Sequence, residues 1–134
     1  MATDPLREVE VSFAEPIAAE DSVVFSVAVF NRTGSTIEVP LYGPGDWALD
    51  VEIRTGDDEL VWRRLTGYSA FPGVTRLLAS GKGFELKAAW DLRKRNGTPV
   101  PPGTYSVRAF LTAGDGNRRE ASPARSITVP ASSG

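Results

Sequence analysis

The chain has 134 residues, enough for one core of ordinary size, and 41% apolar with 24% charged residues is the balance of a globular chain and excludes global disorder. A net charge of -2 with both signs mixed along the chain offers no basic face for phosphates, so a nucleic-acid partner is not expected. Histidine and cysteine are both absent, which removes the commonest general base, the usual partner of a nucleophilic serine, thiol nucleophiles and the preferred zinc ligands. The expectation is therefore no enzyme, no catalytic residues, and no metal or organic cofactor.

Without cysteine a small domain has no disulfides to reinforce it, which favours a reducing compartment. The opening Met1-Ala2-Thr3-Asp4-Pro5 has neither the basic nor the apolar region of a secretion signal. No apolar run approaches the length of a membrane span. Read as a full-length chain, it is expected in the cytoplasm and off the membrane.

In chain order, Val9, Val11 and Phe13 alternate with charged or small residues and predict a first strand. Val23, Phe25, Val27 and Val29 form the inward face of a second, whose other face is also rather apolar. Asn31-Arg32-Thr33-Gly34 is a turn, and 36–39 a short strand stopped by Pro40. Tyr42, Gly43, Pro44, Gly45 and Asp46 form a loop leading to Trp47. Trp47, Leu49, Val51 and Ile53 then alternate with Ala48, Asp50, Glu52 and Arg54, which predicts a strand with one solvated face. Gly56-Asp57-Asp58 turns this strand into 60–64 as a hairpin. Segment 66–75 reads as loop and Gly81-Lys82-Gly83 as turn. Phe84, Leu86, Ala88 and Trp90 face inward on the next strand, and a charged connection follows to Asn96-Gly97. Tyr105, Val107, Ala109 and Leu111 make the clearest inward face of all. Gly114-Asp115-Gly116-Asn117 turns toward a last strand over 125–129.

Short alternating segments, frequent turns and no convincing helix predict an all-β fold, an immunoglobulin-like antiparallel β-sandwich of about 7–9 strands. It is expected as a single domain over 7–130, with flexible termini at 1–6 and 131–134. Tyr105, after Pro101-Pro102-Gly103-Thr104, fits a tyrosine corner, with its ring in the core and its hydroxyl on a loop carbonyl. Phe25, Val27, Leu49, Val51, Trp62, Leu86, Trp90, Tyr105, Val107 and Leu111 are expected to share one core. Trp47 is the tryptophan expected to be partly exposed.

The acidic tip Asp57-Asp58-Glu59 lacks the ligand order of a calcium loop, and carboxylates so placed solvate a turn. Gly43-Pro44-Gly45 and Gly81-Lys82-Gly83 lack the strand–loop–helix setting of a phosphate loop. Segment 66–75 differs, because Tyr68 and Phe71 sit there outside any strand alternation. Two readings stay open: Phe71 plugs the sandwich edge, or the loop Tyr68, Ser69, Ala70, Phe71, Pro72 and Gly73 presents an aromatic anchor to a partner. The same alternatives hold for the second candidate loop, Tyr42, Gly43, Pro44, Gly45, Asp46 and Trp47.

The order Gly56-Asp57-Asp58-Glu59-Leu60-Val61-Trp62-Arg63, an isolated Phe71, a strand ending in Trp90, and Gly103-Thr104-Tyr105 resembles the intracellular proteinase inhibitor (BsuPI) domain family. The chain departs from that pattern after Arg63, where Arg64-Leu65-Thr66 stand in place of a Trp-Ser-like pair. The resemblance implies a sandwich that presents loops to an intracellular subtilisin-like serine protease. The alternative is an immunoglobulin-like protein–protein interaction or assembly domain without inhibitory activity. Neither reading defines an oligomeric state.

Overall fold

The computed structural model describes residues 8–19, 21–43, 45–64, 73–114 and 118–130. The described residues form ten strands: β1 (Val9–Phe13), β2 (Ile17–Ala18), β3 (Val23–Asn31), β4 (Ile37–Leu41), β5 (Leu49–Arg54), β6 (Leu60–Arg63), β7 (Val74–Leu78), β8 (Gly83–Trp90), β9 (Gly103–Thr112) and β10 (Arg118–Val129). A short 3-10 turn, Gly45–Ala48, precedes β5, so Trp47 and Ala48 belong to that turn and not to the strand in which alternation placed them. The fold is an all-β, immunoglobulin-like sandwich.

One curled sheet supplies both layers. Its strands run in the order β2-β3-β1-β10-β9-β5-β6, with β8 on β3. Strands β1, β2, β3 and β8 make one layer, and β10, β9, β5 and β6 the other. The layers join where β1 meets β10 at Ser12 and Ser122. That junction is parallel, whereas alternation alone led to an antiparallel expectation. Parallel neighbours need a long connection, and here nearly the whole chain lies between the two strands.

Period-two alternation puts one row of each strand inside. Phe13, Phe25 and Val27 from one layer meet Leu49, Val51, Ile53, Val107 and Leu111 from the other in one cluster. Trp90 is fully buried. Its ring stacks on Trp62 across the layers at 6.0 Å and meets Tyr105 edge-on at 6.3 Å. The indole N–H of Trp90 donates to the Arg93 carbonyl at 2.9 Å, so its polar edge is satisfied. Every expected core residue is inside, Trp62 only partly so. The Tyr105 hydroxyl donates to the Pro101 carbonyl, which is the expected tyrosine corner.

The β5–β6 hairpin closes as expected. Asp58 takes a positive φ of 66°, a conformation that aspartate tolerates, and its N–H reaches the Thr55 carbonyl at 2.9 Å.

Further local expectations change. Segment 66–75 is not loop throughout, because Val74 and Thr75 begin β7, which pairs with β4 as a separate ribbon. Pro40 does not end the strand before it but lies within β4, opposite Thr75, as an edge strand permits. The last strand begins at Arg118, seven residues before 125, and shifts register between Ala121 and Arg125, around Pro123. Asn31 is more than a turn residue. Wholly buried, it donates from Nδ2 to the carbonyls of Ser35 and Leu78 and accepts from Thr33, tying the turn to the end of β7.

Candidate functional site

Strand β9 runs the length of the sandwich, and beyond its C-terminal end lies the second candidate loop. The Tyr42 N–H donates to the Thr112 carbonyl at 3.0 Å, which anchors the start of that loop. Gly43 is buried, and a Cβ there would lie 3.1 Å from the Trp47 Cβ. Asp46 holds the 3-10 turn to the opposite layer, its Oδ1 accepting from the Lys87 N–H at 2.9 Å. Arg64 closes the other side, donating from Nη1 to the carbonyls of Asp46 at 2.9 Å and Leu49 at 2.7 Å. Burial lowers the pKa of Arg64, while Asp46 and Asp50 pull it the other way. Trp47 stands 47% exposed with the Arg64 guanidinium 5.9 Å from its ring centre. Its expected partial exposure is found. Pro44 lies outside the described residues.

Of the first candidate loop, Tyr68, Ser69, Ala70, Phe71 and Pro72 lie outside the described residues. The described residues on either side of it come to this same end of the sandwich. Arg64 bonds the second loop, and a Cβ on Gly73 would lie 3.4 Å from the Leu41 carbonyl, just before Tyr42. The two loops singled out in the sequence thus share one end of the molecule at their described borders.

The face of β5 read as solvated is not solvated. Asp50 is fully buried and Glu52 nearly so. Their neighbours on the outer face of the β6-β5-β9-β10 layer explain it. Glu52 stands between Arg63 and Arg108 in register, and Asp50 beside Phe110, which faces Glu120 across the next strand pair. Arg63 Nε donates to Asp50 Oδ2 at 2.8 Å, and Arg118 Nη1 to the same oxygen at 2.9 Å and to Glu52 Oε2 at 2.8 Å. Arg54 adds Nη2 to Glu52 Oε1 at 3.1 Å, and Arg108 binds Glu120 through Nε and Nη2. The Arg118 and Arg108 guanidiniums lie 4.0 and 5.6 Å from the Phe110 ring centre.

Burial pushes the Glu52 carboxyl upward, but the hydrogen bonds and charges of Arg118 and Arg54 outweigh it and hold its pKa below the ordinary value. The bond from Arg108 does the same for Glu120 and raises the arginine in turn. Sequence reading missed this network. Its signal was acidic residues at alternate positions of β5 with arginines on both flanking hairpins, but only the strand order brings Arg118 beside Asp50.

At the opposite end, an open depression of about 530 Å³ is lined by Asp21, Val23, Asp91, Arg93, Val100 and Val129, among others. Among the described residues no group of three or more His, Cys, Asp or Glu could hold a metal ion. Nor is any helix among them long and apolar enough to cross a membrane.

No family model matches the chain, and no curated protein matches it. Among solved structures it aligns over 90% of its length with the β-glucosidase EmGH1 of Erythrobacter marinus, at 16% identity and a TM-score of 0.48. A β-glucosidase of Kluyveromyces marxianus aligns over the same share at 13% identity and 0.47. The chain spans 15% of the length of each of these two enzymes. The hook-capping protein FlgD of Xanthomonas campestris aligns at 18% identity and a TM-score of 0.41, with 70% of that chain covered. Similarity at this level says nothing about the activity of this chain.

Proposed function

We propose that this chain is a non-catalytic protein-recognition domain of the cytoplasm that offers the loops at its Trp47 end to a partner. The partner implied by the family resemblance is an intracellular subtilisin-like serine protease. The observation that carries the reading is Trp47, a large aromatic left half exposed on a turn that Lys87 holds through the Asp46 side chain and Arg64 through the backbone carbonyls of Asp46 and Leu49. A turn fixed in this way loses little freedom on docking, and aromatic anchors commonly dominate protein interfaces. Of the described residues that border the first candidate loop, Arg64 lies against this turn and Gly73 against Leu41, just before the second loop.

The test is inhibition of a purified cytoplasmic subtilisin-like protease by the full chain, next to a thermal melt of each variant. Trp47→Ala, Tyr68→Ala or Phe71→Ala is expected to weaken inhibition at least about tenfold with little change in melting temperature. Lost stability with intact inhibition for Phe71→Ala would assign that ring to the sandwich edge. No inhibition by the unaltered chain would leave the interaction or assembly domain without inhibitory activity.

A further inference from the structure

The outer face of the β6-β5-β9-β10 layer presents its charges asymmetrically. The acids Asp50 and Glu52 lie beneath, the side chain of Asp50 wholly shielded, while the side chains of Arg63, Arg118 and Arg108 keep 37%, 30% and 46% of their surface. The buried carboxylates fix where these cations point while reducing their net charge. Arg63 and Arg118 converge on one oxygen of Asp50, Arg63 through Nε and Arg118 through Nη1, and Arg118 rests on Phe110. Each guanidinium carries five N–H donors in a rigid plane, more than these bonds to the described residues use. Holding such ions in place costs desolvation that an apolar face would avoid, so stability alone is a poor reason for the arrangement.

We propose that this face docks an acidic, extended segment of a partner protein, with one carboxylate side chain seated between Arg63 and Arg118 and another at Arg108. Charge complementarity selects the occupant. Beside the exposed Glu120, which holds the Nε and Nη2 side of Arg108, the accessible groups are guanidiniums that match carboxylates and whose positions are set before binding, which lowers the ordering cost. A nucleic acid fits less well, because the chain carries a net charge of -2 and the acids beneath cap the local positive potential. The face adjoins the Trp47 turn through Asp50 and Arg64, but it is a different set of side chains, and the titration below does not use protease inhibition as its readout.

The experiment follows arginine side-chain NMR signals of the full chain during titration with a short capped peptide of alternating Glu and Thr. Its Gln-for-Glu counterpart, inorganic phosphate and a short single-stranded oligonucleotide run in parallel. The Glu peptide is expected to shift Arg63, Arg108 and Arg118 saturably, to leave Arg76 and Arg93 on other surfaces unmoved, and to weaken with added salt. Arg63→Gln should lower its affinity at least about tenfold, the loss of a charge-assisted contact. The proposal is overturned by no saturable shift, by equal shifts at Arg76 and Arg93, or by equal binding of the Gln peptide. Phosphate or oligonucleotide binding the same arginines more tightly than the Glu peptide also overturns it. If Arg63→Gln melts below the working temperature, the titration of the unaltered chain decides alone.

Discussion

Trp90 shows how much one side chain can settle. Its ring is fully buried, touches both Trp62 and Tyr105, and has its N–H satisfied by Arg93. Trp90→Ala should cost about 3–5 kcal/mol in chemical denaturation, and a loss near zero would mean the cavity collapses without penalty. Thr112 is the opposite case, since its buried Oγ1 has no hydrogen-bond partner among the described residues. Replacing it with the isosteric valine removes a desolvated hydroxyl, so Thr112→Val should leave stability unchanged or raise it; a clear drop in melting temperature would argue otherwise. Glu52 makes the pH dependence specific. Its folded pKa is depressed, so its contribution is present above the unfolded value, about 4.5, and is lost as pH falls through the folded one. The stability gap between the unaltered chain and Glu52→Gln should therefore narrow as pH falls below about 4.5, measured by melts from neutral to acid pH. A constant gap would show that shape, not charge, holds the site.

At the scale of elements, β3 and β8 lie unusually close at one point. A Cβ on Gly83 would come within 2.6 Å of the Val29 carbonyl oxygen, a backbone atom that cannot rotate aside. Gly83→Ala should then destabilise by about 1–3 kcal/mol through forced separation of the two strands, and an unchanged denaturation midpoint would refute it. The same scale explains which strands the sequence announced. Strands β3, β8 and β9 carry the longest alternations because they have one side in the core and span the sandwich. Strand β7 announced itself poorly. Val74-Thr75-Arg76-Leu77-Leu78 leaves Leu77 exposed and buries Leu78, with too little contrast to separate it from the preceding loop.

For the whole molecule, cohesion comes from one apolar cluster shared by both layers and from an ionic network on one outer face. Both are built from protein side chains, and the imidazole and thiolate ligands that transition metals favour are missing from the chain. A chelator should leave the melting temperature where it was, while a fall on chelation reversed by added zinc or calcium would reveal a site that binds the folded state.

The inward rows of the long strands, the tyrosine corner, the β5–β6 hairpin and the exposure of Trp47 were all determined by local order. Alternation, turn residues and a Pro-Gly-Thr-Tyr run act between near neighbours, so each can be read in place. The parallel junction of β1 with β10, the β4–β7 ribbon and the burial of Asp50 were decided only by tertiary structure. Each depends on residues far apart in the chain: Ser12 with Ser122, Pro40 with Thr75, Asp50 with Arg118. An aspartate on a strand reads as solvated until the strand order brings two arginines over it, because alternation tells which face a side chain takes but not what lies across from it.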